Sequence, residues 1–211
     1  RPGDMIDSVT GKVWPKGTKL ELVPVIHFKR RVKWIPMNDG GGIECRSRDG
    51  IAGDQYGICV DCEYGGPGAW KRTKVDGKVK NVPPPCTLYQ CFLGFEPGER
   101  VPLLFDMGRT KENAAKTVLS SLSFAAAAGV PMSHAVLTFE TYDDTQKATG
   151  IHFFNVRGAK TGTSTEEDRM FADKLYAQFA GSLRRIAVEH DVDDDAIGAI
   201  TTGKGGENIP F

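Results

Sequence analysis

Cys45-Arg-Ser-Arg-Asp-Gly50, Cys59-Val-Asp-Cys62 and Pro83-Pro84-Pro85-Cys86 are the parts of the stretch that organises this chain of 211 residues. Thirteen residues separate Cys45 from Cys59, two separate Cys59 from Cys62, and twenty-three separate Cys62 from Cys86. The C-x2-C pair lets two sulfurs reach one metal, and four thiols suit a tetrahedral Zn(II) of the structural kind, with no ligand position left open. The alternative is two disulfides or buried free thiols. C-x2-C fits an ordinary structural disulfide poorly, and no export signal is visible. His27 is an alternative ligand in place of one cysteine. The stretch from 43 to 86 is rich in Gly and Pro and poor in periodic apolar residues, so packing alone would not fold it, and a metal would supply the missing stability.

Working outward, the flanks read as strands. Lys19–Ile35 is β-rich, with a bend expected near Pro24–Lys29 and a second strand after it. Residues 1–18 read as an irregular lead-in, with Trp14 pinned to the body. Asn38-Asp39-Gly40-Gly41-Gly42 is a turn, and it lacks the Lys-Ser/Thr that would make a phosphate loop. Leu88–Phe95 and Val101–Phe105 are strands, and Cys91 falls within the first as a strand residue rather than a ligand. Thr110–Ala128 is the clearest helix, with Thr110 as cap, Gly129 as terminator, and Ala115, Val118, Leu119, Leu122 and Ala126 on one face. Ala135–Tyr142 and Gly150–Arg157 form a hairpin around the polar loop Asp143–Thr149. A second helix opens at Ser164 or Thr165 and runs to about Glu189, with Met170, Phe171, Leu175, Phe179 and Leu183 at helical spacing. The expected class is mainly β with helices (α+β). Its expected architecture is an OB-fold-like five-stranded barrel with a four-cysteine zinc insertion at about 43–86, a helix between strands 3 and 4, and a C-terminal helix. Residues 1–189 are expected to form the domain and 190–211 an acidic, flexible tail.

Total charge is balanced at 27 basic and 27 acidic side chains, but its distribution is not. Residues 1–35 carry eight basic side chains against Asp4, Asp7 and Glu21. Lys71, Arg72, Lys74, Lys78 and Lys80 face only Asp76 within 71–80, whereas 189–211 holds six acidic residues against Lys204. This asymmetry points to nucleic acid for the body and a separate role for the tail. No apolar run approaches the roughly 20 residues of a membrane span, so no membrane association is expected and the expected location is the cytoplasm.

Catalytic signals are thin. The four histidines show no hydrolase spacing, no Gly-x-Ser-x-Gly elbow occurs, and Lys160-Thr161-Gly162 lacks the partners of a penicillin-binding signature. The expectation is a protein that is not an enzyme. Binding signals are richer. Single strands are held by basic grooves and by aromatic faces on which bases stack, about 1–3 kcal/mol per base. Lys29, Arg30, Arg31, Lys33 and Trp34 supply such a mixture, with Tyr89, Phe154 and Arg157 on later strands. Trp70, Lys71, Arg72 and Lys74 form a basic loop within the insertion. Trp34 is the favoured stacking residue because Arg31 and Lys33 are near it in sequence.

Glu207-Asn208-Ile209-Pro210-Phe211, after the acidic run 189–195, resembles the C-terminal peptide of bacterial single-stranded-DNA-binding proteins, with Asn208 where an acidic residue is usual. The resemblance implies that Ile209, Pro210 and Phe211 dock on replication or repair proteins. The C-x2-C block with its basic surroundings is similar to that of the helix-destabilising proteins of T-even phages. That family uses a histidine among its zinc ligands, where this chain offers Cys86. Over residues 1–185 the layout resembles phage-encoded proteins with a Cys-Arg-Ser, C-x2-C and Pro-Pro-x-Cys order. Together these imply a sequence-tolerant single-stranded-DNA-binding protein of replication, recombination or repair, located in the host cytoplasm. The alternative is a zinc-ribbon adaptor binding RNA polymerase or another protein.

Overall fold

A computed structural model describes residues 4–6, 11–75, 78–146 and 151–188. The chain begins with a short antiparallel ladder of β1 (Met5–Ile6) and β2 (Val13–Trp14). Met5 and Trp14 stand opposite each other and are buried, and Trp14 Nε1 donates to Glu96 Oε1 at 3.1 Å. The lead-in is therefore partly ordered, and Trp14 does anchor it.

β3 (Lys19–Trp34) is one strand of sixteen residues, not two strands around a bend. Its ladder with the strand Cys86–Phe95 shifts register between Pro24 and Ile26. A proline has no N–H to give a ladder, and a bulge there absorbs it while the strand continues.

The insertion that follows carries β4 (Ile43–Ser47), β5 (Ala52–Gly53), β6 (Gly57–Ile58), β7 (Lys71–Val75) and β8 (Lys78–Val82). β4 pairs with β3, while β5–β6 and β7–β8 are small separate ladders. Then come β9 (Cys86–Phe95), β10 (Leu103–Gly108), α1 (Glu112–Ala127), β11 (Ala135–Gln146), β12 (Ile151–Thr163) and α2 (Glu166–Val188). The class is mainly β with two helices, as expected.

The main path runs β10-β9-β3-β11-β12, all antiparallel. Counting only these five long strands in chain order, the spatial order is 3-2-1-4-5. It contains the 4-1-2-3 Greek key, and a helix lies between strands three and four, the order of an OB-fold. Among the described residues no ladder joins β10 to β12, so closure of the barrel is not shown. α1 packs against both of these end strands instead.

Two cores result. Leu20, Leu22, Phe92, Met107, Leu137 and Phe139 meet the Ala115, Val118 and Leu122 face of α1. On the other face of β3 and β9, Val23, Ile26 and Phe95 receive Ala172 and Leu175 of α2, with Phe171 edge-on to Phe95 at 4.8 Å. Ala126 and Met170, expected on the buried faces, are exposed. A 3-10 turn over Arg109–Lys111 precedes α1 and puts Lys111 at its N-cap, displacing Thr110 from that role. α2 starts where expected. Its reciprocal cap joins Thr165 and Asp168: the Asp168 amide donates to Thr165 Oγ1 at 3.1 Å, and that hydroxyl donates to Asp168 Oδ2 at 2.8 Å.

Candidate metal centre and nucleic-acid interface

The register of β3 decides where the cysteines meet. Lys33 stands opposite Cys45 of β4 on one edge and opposite Cys86 of β9 on the other. Cys45, Lys33 and Cys86 therefore lie abreast on one sheet face. The turn after β6 brings Cys59 and Cys62 over that face. Its shape is fixed by backbone bonds: Cys59 N donates to Ile51 O at 2.6 Å, Gly66 N to Cys62 O at 2.8 Å, and Cys86 N to Tyr64 O at 3.0 Å. Tyr64 N also approaches Cys62 Sγ at 3.4 Å, a donor aimed at a sulfur.

Cys45, Cys59, Cys62 and Cys86 line one cavity of about 10 Å³, room for a single water-sized sphere. Two glycines permit this closeness. A Cβ on Gly53 would come to 2.8 Å from Cys45 Sγ, and one on Gly65 to 3.3 Å from Cys86 Cβ. Four thiols, two from one turn and two from strands, are a donor set of the kind that a structural Zn(II) takes. As placed, the thiols are free, and among the described residues no three His, Cys, Asp or Glu side chains are grouped tightly enough to hold a metal ion. Burial pushes the Cys59 and Cys86 thiols up. A Ser47 hydrogen bond and the Arg31 guanidinium oppose this at Cys59, and Arg31 opposes it at Cys86.

His27 does not line the cavity. It is bonded through Nε2 to Gln90 Oε1 at 2.9 Å and packs on Phe92 at 5.0 Å between ring centroids, and burial lowers its basicity. Cys91 is fully buried in β9, as its place in the strand predicts.

Strand alternation sorts the candidate DNA contacts into two faces. Lys29, Arg31 and Lys33 share the face that the insertion covers. Lys33 is buried, ion-paired to Glu44, with Nζ 3.8 Å from the Tyr64 ring centroid and 5.1 Å from that of Tyr56. It fastens the insertion to the sheet and has no free face for a phosphate. Arg31 is half-buried and donates through Nη1 to Gly65 O at 2.7 Å. Lys29 stays exposed.

On the opposite face, Trp34 is 46 % exposed and donates through Nε1 to Tyr89 Oη at 3.3 Å. The Arg30 guanidinium lies 5.2 Å from the Tyr89 ring centroid and pairs with Asp106. Trp34 is thus grouped with Arg30 and Tyr89, not with the Arg31 and Lys33 that first recommended it. Sequence neighbours in a strand point to opposite faces, so the right companions lie one residue out of phase or on the next strand. Glu44, Tyr56 and Tyr64, which the sequence reading passed over, are the clasp of the insertion. Their one signal was position, beside Cys45 and on either side of the C-x2-C.

Lys71, Arg72 and Lys74 are exposed on β7, with Trp70 just before them 59 % exposed. Lys78 and Lys80 lie on the paired strand β8. Arg157 is exposed and bonded to Glu140 at 3.0 Å. Phe154 stands opposite Asp143 in the β11–β12 ladder, and its side chain lies outside the described residues. So do Ile209, Pro210 and Phe211 with the whole of 189–211. Among the described residues no helix is long and apolar enough to cross a membrane.

No curated protein and no solved structure matches the chain. The family model described as Pam3 phage gp34-like protein matches residues 1–183, and the chain belongs to this family of phage proteins.

Proposed function

We propose that this phage protein binds single-stranded DNA without sequence preference and without catalysis, in replication, recombination or repair. The observation that carries the reading is the open face on which Trp34, Tyr89 and Arg30 meet. Aromatic rings offer stacking to any base, and an arginine beside them meets the phosphate charge. That face belongs to the first two strands of an OB-ordered sheet, whose strand faces and connecting loops take up oligonucleotides in such folds. The β7–β8 ladder adds Lys71, Arg72 and Lys74 as exposed cations on the loop joining those strands.

In this reading Cys45, Cys59, Cys62 and Cys86 hold one Zn(II), which supplies a fixed crosslink between the turn after β6 and strands β4 and β9. The shared cavity and the all-thiol donor set support it. The acidic segment 189–211 recruits replication or repair proteins through Ile209, Pro210 and Phe211, and the host cytoplasm is the site of action. Titration of intrinsic fluorescence with oligo-dT and with duplex, at two salt concentrations, tests the proposal. Strong, salt-sensitive quenching by the single strand supports it, and no response at low salt rejects it.

A second reading is an adaptor for RNA polymerase or another protein. It is favoured by Ile51, Ile58 and Val60, which are 61 %, 39 % and 53 % exposed around the β5–β6 ladder of the insertion. Loss of partner capture on replacing these residues, with no response to oligo-dT, would select it.

A further inference from the structure

The proposed function leaves Arg31 without a role. It lies on β3, two residues before Lys33 and on the same face. Lys33 is flanked by Cys45 and Cys86, so Arg31 stands one step along the strand from the pair of cysteines. Its own ladder partners are Ser47 and Leu88. Arg31 lines the same cavity as all four thiols. Nη1 donates to the carbonyl of Gly65, the third residue after Cys62, at 2.7 Å. Nε is buried and has no hydrogen-bond partner among the described residues. A Cβ on Gly65 would stand 3.2 Å from Arg31 Nη1, a tight contact that the glycine avoids.

A buried N–H without an acceptor costs stability, and a half-buried guanidinium is stabilised by a nearby counter-charge. The carboxylates that serve the neighbouring cations are engaged elsewhere: Glu44 with Lys33, Asp54 with Arg46, and Asp106 with Arg30. Four thiolates around a divalent ion carry a net charge of −2, and sulfur accepts N–H donors. That centre would meet both needs of Arg31.

We propose that Arg31 is a positioning residue of the cysteine centre rather than a phosphate contact: it compensates the charge of a tetrathiolate zinc ion and holds the Cys62–Gly65 turn against β3. This rests on the zinc reading of the centre. Groups outside the ligands that orient and balance a metal site change affinity by about 10–100-fold when removed.

The test is competition for zinc between a chromophoric chelator and the full chain as wild type, R31K and R31M. Circular dichroism confirms that each variant is folded. R31M is expected to weaken zinc binding about 10–100-fold, and R31K, which keeps the charge, to lose clearly less. Oligo-dT affinity of the zinc-loaded R31K is expected to match wild type. Equal zinc affinity for wild type and R31M overturns the proposal. So do equal losses in R31K and R31M, because packing alone would then explain both. If R31M does not fold, R31Q is read against R31K by the same criteria. A wild-type chain that takes up no zinc removes the zinc reading itself and this proposal with it. Wild type that holds zinc, with R31M unchanged, removes only the role of Arg31.

Discussion

Lys33 and Trp34 are adjacent in sequence and lie back to back in the sheet. Lys33 is 9 % exposed under the insertion, and Trp34 is 46 % exposed on the opposite face. The two substitutions therefore separate binding from stability. W34A is expected to weaken oligo-dT binding by about 1–3 kcal/mol, the worth of one stacked base, with little change in thermal midpoint. K33M removes the cation over Tyr64 and should destabilise the chain by about 1 kcal/mol while leaving Trp34 in place. Paired titration and thermal melts check both. A W34A variant that binds like wild type would remove the open face from the interface.

In the proposed reading the basic strand β7 contributes charge rather than recognition. Replacing Lys71, Arg72 and Lys74 together by alanine should make the negative slope of log K against log salt shallower by about 2, since each single-strand phosphate contact contributes about 0.7. Base preference should not change. A slope identical to wild type would show that the hairpin does not touch the strand.

Zinc content separates the cysteines. Wild type should carry about one equivalent of zinc, released by a chelator with partial unfolding. C62S should lose it, whereas C91S, altered in the middle of β9, should keep it. Metal analysis of the three purified chains decides this, and equal content in all three would dissolve the four-cysteine assignment.

Asp168 gives an acid-side signature. It is 1 % exposed, and burial works to raise its carboxyl. The hydroxyl and amide of Thr165, the amide of Gly98 and the Arg100 guanidinium outweigh this and hold it below the usual aspartate range. Because the folded value is depressed, the stabilisation is complete above the unfolded value near about 4. It is lost as pH falls through the folded value. D168N should cost about 2 kcal/mol at neutral pH, the worth of hydrogen bonds to a charged group, and should flatten the fall in midpoint below pH about 4. Melts from pH 2 to 7 on both chains would show an unchanged acid limb if the assignment is mistaken.

Much of the fold was legible because its signals are local. The helical spacing of Val118 and Leu122, the Thr165 start of α2 and the alternation in β9 each follow from a few neighbouring residues. The mixed class and the order of elements followed from these. Pro24 misled because a proline inside a strand pattern reads as a break, and only the partner strand shows that a bulge absorbs it. The cysteines were legible as a set by type and spacing, and the structure brings all four to one cavity. The basic residues were not legible as a set. Arg31, Lys33 and Trp34 crowd into four positions of one strand, but which face the insertion would cover is settled by a register across more than fifty residues. No window along the chain contains that information.

The register that places Lys33 opposite Cys86 also sets a condition on how the chain folds. Between them lie residues 34–85, a loop of 52 residues that must close before β3 and β9 can zip together. Closure entropy grows only with the logarithm of length, so this loop costs about 2 kcal/mol more than a five-residue turn. A large insertion is therefore cheap at equilibrium. Its burden is on the search: the central strand pair joins distant parts of the chain, and such pairings form slowly. The β4 ladder with β3 spans a far shorter loop and can form first. It would bring Cys45 to the edge of β3, so that the insertion arrives as a partly built template on which Cys86 and the rest of β9 add.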